Sequence, residues 1–269
     1  MHAVQAAPAS AGLPHVRMRG VGKIYQTGTT DLVALTNIQL DVHDGEFLSL
    51  LGPSGCGKST VLRCVAGLES ATTGDVSVGG QPVDGPPSGL GVVFQRDVLL
   101  DWRTVLQNVM LPAEFEPADR QVALRSKALY LLQMVGLGAY CDRYPWELSG
   151  GMRQRASICR ALLTDPQLLL MDEPFGALDE FTRDQLNLDL LRIWAETRKT
   201  VLFITHSIAE AILLSTRVAV MAPNPGRIAE IVEIDLPRPR ALAMRDTPEF
   251  ASYSAHIRSV FERLGTGAR

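Results

Sequence analysis

At 269 residues and 46% hydrophobic content, the chain has material for one large buried core or two small ones and reads as globular. Its 29 acidic and 26 basic residues leave a net charge of −3, which argues against nucleic acid or an anionic membrane as the main partner. No apolar run reaches the roughly 18 to 20 residues of a spanning helix, and the four cysteines form neither a CxxC pair nor a metal-like spacing with the five histidines. They are expected as reduced thiols of a cytoplasmic protein.

The opening MHAVQAAPASAGLPH lacks the basic start and long apolar segment of an export signal, so residues 1–15 are expected as a disordered Ala/Pro tail. Partial alternation over 16–25, ending in Tyr25, predicts an edge or half-buried strand, and 34–42 alternates again. His43-Asp44-Gly45-Glu46 turns into an apolar strand at 47–51, and a helix is predicted over 58–68 with Gly67 near its end. Short strands follow at 76–78 and 90–94, the second ending in Gln95. Helices at 104–111 and 117–135, with Gly136 as the stop, interrupt the α/β pattern and predict a helical insert over about 96–163. Beyond it come a helix at 156–163, a buried strand at 167–171, an amphipathic helix at 182–198 and a strand at 200–204. A helix at 207–215, strands at 218–221 and 228–234 around a Pro-Asn-Pro-Gly turn, and a terminal helix at 251–264 complete the reading.

The chemistry centres on Gly52-Pro53-Ser54-Gly55-Cys56-Gly57-Lys58-Ser59-Thr60, which fits GxxxxGK[ST] between a predicted strand and a predicted helix. Its glycines let the backbone close around a polyphosphate, with N–H groups and the helix's positive end directed inward. Lys58 adds a point charge for the β- and γ-phosphates, and the Ser59 hydroxyl is placed to ligate Mg²⁺. The strand at 167–171 ends in Asp172 and Glu173, an acid to hold Mg²⁺ through water and a second to polarise an attacking water. Leu148-Ser149-Gly150-Gly151-Met152 precedes another helix, where Ser149 can cap and two glycines expose backbone donors, making a second anion site.

Together these motifs resemble the ATP-binding subunits of ABC transporters, over nearly the whole of residues 16–234: GPSGCGKST, LSGGM followed by RQR, and LLLMDEP stand in the family's order. The resemblance implies an α/β fold of the P-loop NTPase ABC ATPase type, with a mixed central sheet, a helical subdomain and an N-terminal antiparallel β subdomain. It implies an ATP-binding domain over 16–236 and a short C-terminal extension over 237–269. It assigns Tyr25 to stacking on adenine, Gln95 to sensing Mg²⁺ and the γ-phosphate, Asp179 to the dimer contact and His206 to the γ-phosphate. Singly, each has a plain alternative: a surface aromatic, a strand-end polar group, a helix cap and a turn histidine. In the family two copies pack head to tail, so that Ser149, Gly150 and Gly151 of one cover ATP held by the other. Glu173 is then the general base and Asp172, with Ser59 and Gln95, the Mg²⁺ site.

Two residues depart from the family pattern: Met152 stands where Gln is usual, and Ser207 follows His206 where Asp is common; Ser207 can still cap the next helix. The stretch 97–105 and Pro223-Asn224-Pro225-Gly226-Arg227-Ile228 are similar to importers of the nitrate, sulfonate and taurine group. The resemblance thus implies a homodimeric ATPase on the cytoplasmic face of the membrane, held peripherally by permease subunits and served indirectly by an extracytoplasmic solute-binding protein. Trp102 is open to two readings, a permease contact or a core anchor of the insert. An exporter ATPase, or a soluble ABC ATPase acting on nucleic acid or ribosomes, is the alternative; near-neutral charge and the lack of a second cassette argue against nucleic acid.

Overall fold

The structure is a computed structural model that describes residues 13–28 and 30–265. Residues 1–12 of the expected tail lie outside the described residues, whereas His15 is buried and its Nδ1 lies 2.7 Å from Asp44.

The N-terminal half contains β1 (Val16–Thr27), β2 (Thr30–Val42), β3 (Phe47–Leu51), α1 (Lys58–Val65), β4 (Thr73–Val78), the short β5 (Gln81–Pro82) and β6 (Leu90–Val93). The helical insert holds α2 (Val105–Val109), α3 (Ala118–Met134) and α4 (Gly150–Leu162). The chain continues with β7 (Leu168–Asp172), α5 (Glu180–Thr197), β8 (Thr200–Thr205), α6 (Ile208–Leu214), β9 (Arg217–Ala222), β10 (Arg227–Glu233) and α7 (Pro248–Arg263).

Two sheets result. The first is antiparallel with order β2-β1-β4-β5, and the second has order β10-β9-β3-β8-β7-β6. In the second, β9 through β6 are parallel and only β10 runs against its neighbour, so the expected mixed central sheet and antiparallel β unit are both present. Strands β3 and β8 are buried at every position, because both faces of a parallel sheet are covered. Alternate residues feed two cores: Phe47, Met171, Val201 and Phe203 face α5 and the insert, while Leu48, Leu50, Leu170, Leu202 and Ile204 face α1 and the first sheet.

Local chemistry explains where the elements begin and end. The first helix stops before the predicted residue 68 because Gly67 turns left-handed at φ 66. Helix α4 starts at Gly150 rather than at 156, since the Ser149 hydroxyl accepts from Met152 N at 3.3 Å and draws both glycines into the first turn. Thr104 and Gln107 cap α2 reciprocally, and the buried Asn108 side chain ties Leu100 N and O to this helix. Trp102 is 73% exposed, which removes the core-anchor reading. The last helix begins at Pro248 with Thr247 as its cap, and Phe250, Ile257 and Val260 join the larger core. Arg240, also buried, donates to the carbonyls of Ile212, Leu213 and Ser215, closing the end of α6.

Phe47 is fully buried between Trp194 and Phe203, with ring centroids 6.1 and 5.8 Å away. Phe47→Ala is expected to cost about 3–5 kcal/mol in urea unfolding monitored by circular dichroism; a loss under about 1 kcal/mol would show that this layer repacks.

Candidate functional site

Three parallel strands deliver the site. Because Leu51 pairs with Thr205 and Asp172 with Ile204, the carboxyl ends of β3, β7 and β8 lie level, and the segments that follow them converge on one crevice. The loop after β3 passes through Gly57 at φ 96, a left-handed conformation, and a Cβ there would lie 2.6 Å from Leu35 Cδ2, so the position demands glycine twice over. No side chain caps α1 at this residue. The first N–H groups of the helix are left to an anion.

Lys58 is 4% exposed; its Nζ donates to the carbonyls of Gly52 at 2.9 Å and Pro53 at 3.1 Å and lies 3.4 Å from Glu173 Oε1. The Ser59 hydroxyl donates to Asp172 Oδ1 at 3.0 Å. Burial raises the pKa of the Asp172 carboxyl against the opposing pull of that hydroxyl, so a cation beside it would relieve the buried charge. Glu173 holds φ 42, a strained conformation for a side-chain-bearing residue, fixed by its N–H donating to Ile204 O at 3.1 Å. Its Oε2 stands 3.4 Å from His206 Nδ1, so one carboxylate lies between the lysine of the loop and the histidine after β8.

A cleft of about 430 Å³ opens over these groups, lined among others by Tyr25, Ser54, Gly55, Gly57, Lys58, Ser59, Thr60, Gln95, Asp172 and Glu173. Tyr25 is half-buried: its hydroxyl donates to Glu69 and lies 3.4 Å from Thr60 Oγ1, which holds the ring at the cleft wall. Gly52, Pro53 and Cys56 form the back of the loop rather than the lining; burial raises the Cys56 thiol pKa, and all four cysteines are free. His206, which reaches the cleft only through its contact with Glu173, is not part of the cleft lining, and neither are Ser149, Gly150, Gly151 and Asp179. Asp179 caps α5 by accepting from Thr182 N at 3.0 Å, and Ser207 caps α6 by accepting from Glu210 N at 3.3 Å, as its short side chain allows.

Two parts of the wall escaped the sequence reading. Leu32, Val33 and Ala34 of β2 line the cleft, and so do Asn224, Pro225 and Gly226 of the turn before β10. Gly226 N donates to Ala34 O at 3.0 Å, Gly226 O accepts from Thr36 N at 2.9 Å, and a Cβ on Gly226 would overlap the Cys56 carbonyl. The glycine ending the Pro-Asn-Pro-Gly turn was the one available signal of this close approach.

Comparison with known proteins agrees with this fold. Residues 35–176 match the family model for ABC transporters. An uncharacterized ABC transporter ATP-binding protein of Methanocaldococcus jannaschii is 46% identical over 92% of this chain and 91% of its own length. The taurine import ATP-binding protein of Rhizobium johnstonii is 44% identical, covering 84% of this chain and 88% of the relative. For the aliphatic sulfonates import ATP-binding protein of Bacillus cereus the figures are 40%, 93% and 97%. Among solved structures, an ATP-binding cassette in a dimeric post-hydrolysis state with ADP and Pi superposes with a TM-score of 0.71 at 31% identity, over 82% of this chain and 99% of that one. The chain therefore belongs to the ABC transporter family, as an ATP-binding subunit that hydrolyses ATP.

Proposed function

We propose that this ATPase energises import of a small nutrient of the nitrate, sulfonate or taurine type through a separate membrane permease. The observation that carries the catalytic part is Glu173, held 3.4 Å from Lys58 and 3.4 Å from His206 at one edge of the cleft. Water attacks the γ-phosphorus and passes its proton to Glu173, while the bond to the ADP oxygen breaks. Lys58 and the N-terminus of α1 bind the phosphate oxygens, and His206 contacts the γ-phosphate. Tyr25 stacks on the base, with Leu32, Val33 and the Asn224–Gly226 turn completing the wall.

Ser59 and Asp172 offer hard oxygen donors 3.0 Å apart, with the Gln95 amide beside them in the cleft lining. Among the described residues no group of three or more acidic, His or Cys side chains is arranged to hold a metal ion by itself. This suits Mg²⁺, which takes one or two carboxylates plus phosphate oxygens. Bound there, the ion would neutralise charge on the β- and γ-phosphates.

Because the signature residues Ser149, Gly150 and Gly151 are not in the cleft lining, their donors suit the nucleotide of a second copy, and Asp179 suits the contact between copies. ATP binding then closes a head-to-tail homodimer and hydrolysis reopens it. No helix of the described residues is long and apolar enough to cross a membrane. Attachment to the cytoplasmic face is assigned to the permease, with Trp102 and Phe115, 73% and 86% exposed, as contact candidates on the insert. A solute-binding protein supplies the permease from outside. The import names of the relatives favour this reading over an exporter or a nucleic-acid ATPase.

Glu173→Gln is expected to bind ATP as the parent does while phosphate release slows by about 10²–10⁴-fold; turnover at the parental rate would remove Glu173 from the role of base. Light scattering of that variant with ATP and without Mg²⁺ is expected to show a dimer, and adding Ser149→Arg to abolish it while nucleotide binding to the single chain persists. An ATP-dependent dimer carrying Ser149→Arg would contradict the shared site.

A further inference from the structure

Glu210 is a buried carboxylate that the mechanism above does not use, on the first turn of α6 directly after His206. It grips the loop carrying the histidine. Thr205 Oγ1 donates to Glu210 Oε2 at 2.5 Å and itself accepts from Ser207 N at 3.0 Å, so the residues on both sides of His206 are tied to this one side chain. Its other oxygen, Oε1, faces Arg183 Nε at 3.7 Å, and neither atom has a hydrogen-bond partner. At that separation the two attract as charges without forming a hydrogen bond.

Arg183 reaches the opposite way with its other nitrogen. Nη2 donates to the Leu178 carbonyl at 2.8 Å, in the loop that ends at Asp179, and the neighbouring Thr182 is pinned to Asp179 through its backbone N–H. The same loop abuts the signature helix: Leu178 Cδ2 lies 3.4 Å from a Cβ built on Gly150, and Thr182 fills the space a Cβ on Gly151 would need. Asp184, the acid next to Arg183 in sequence, is occupied by Arg245 at 2.7 Å.

We propose that Arg183 and Glu210 are positioning residues that couple the 177–179 loop, and through it the signature helix, to the loop that presents His206. The proposal rests on the reading of His206 and Asp179 given above. A partner that engages Asp179 or the signature residues shifts the Leu178 carbonyl, and Arg183 transmits the shift to Glu210 and the Thr205–Ser207 backbone. Closure at the site shared with one copy thereby sets the histidine at the chain's own nucleotide. The facing atoms of this half-buried pair are shielded from water, so a displacement is passed on rather than absorbed, since separating them leaves the buried Glu210 carboxylate without its opposite charge.

Steady-state ATP hydrolysis by the full chain tests this, with KM and kcat resolved separately. Glu210→Gln keeps the volume and an oxygen for Thr205 but removes the charge facing Arg183; kcat is expected to fall about tenfold with KM for ATP within about twofold. Arg183→Gln is expected to match it, and the double variant to be no slower than the slower single, because one link is cut only once. Arg183→Lys, which retains the charge, is expected to return kcat to within about threefold of the parent. Additive losses, parental kcat in either Gln variant, or equal loss in Arg183→Lys and Arg183→Gln would overturn the coupling. His206→Ala separates the two levels: parental turnover in that variant would overturn the reading of His206 and this proposal with it, whereas a slow His206→Ala beside a fast Glu210→Gln would overturn the coupling alone.

Discussion

The parallel pairing of β3, β8 and β7 is the constraint on which everything else depends. Their register pairs Leu51 with Thr205 and Asp172 with Ile204, so the three strand ends lie within one residue of each other, and the groups that follow cannot be separated without breaking the ladder. A phosphate loop, two acids and a histidine far apart in sequence thus become neighbours through backbone hydrogen bonds alone. The ladder is stiff because both faces are covered: Phe47 and Phe203 on one side, Leu48 and Leu202 on the other, leave the strands no solvent-facing direction in which to slip.

Stiffness below permits strain above. Glu173 keeps a left-handed backbone immediately after a fully paired strand, and its N–H bond to Ile204 draws on the same ladder. Relaxing φ to an ordinary value would turn the carboxylate away from Lys58 and His206. The conformational cost is borne by β7 and β8, which have buried apolar surface to spare. The cleft chemistry has a similar logic: Asp172 is pushed toward protonation by burial, and the nearby hydroxyl and cationic side chains oppose that push.

What was legible in the sequence was whatever is continuous in it. Gly52 to Thr60 forms one turn, Asp172 and Glu173 end one apolar run, and Ser149 caps the helix it precedes; each signal acts within a few residues. Boundaries failed where a local preference met a stronger local bond, as at Gly150 and Gly151, poor helix formers that the Ser149 cap nonetheless recruits. The cleft wall at Leu32, Val33 and Asn224–Gly226 was illegible for a different reason. It exists because the edge of β2 meets a turn from the far end of the chain, through backbone groups that carry no side-chain code. The pairing of Arg183 with Glu210 is of the same kind, two ordinary helix-surface residues until α5 and α6 are packed side by side.

This division bears on the proposed sharing of nucleotides between two copies. The cleft gathers residues at or after the ends of β3, β6 and β7, whereas the donors at the start of α4 stand on the insert, outside its lining. On the proposed reading, a single copy presents two incomplete anion sites, and bringing two copies together satisfies both at once. One route between these two places within a chain runs through the residues after β7, since that segment adjoins Glu173 at one end and touches the glycines of α4 at the other. Its short length makes it a poor absorber of displacement. A helix cap at Asp179, a guanidinium on the Leu178 carbonyl and a methyl against Gly151 leave it few ways to move except as a unit.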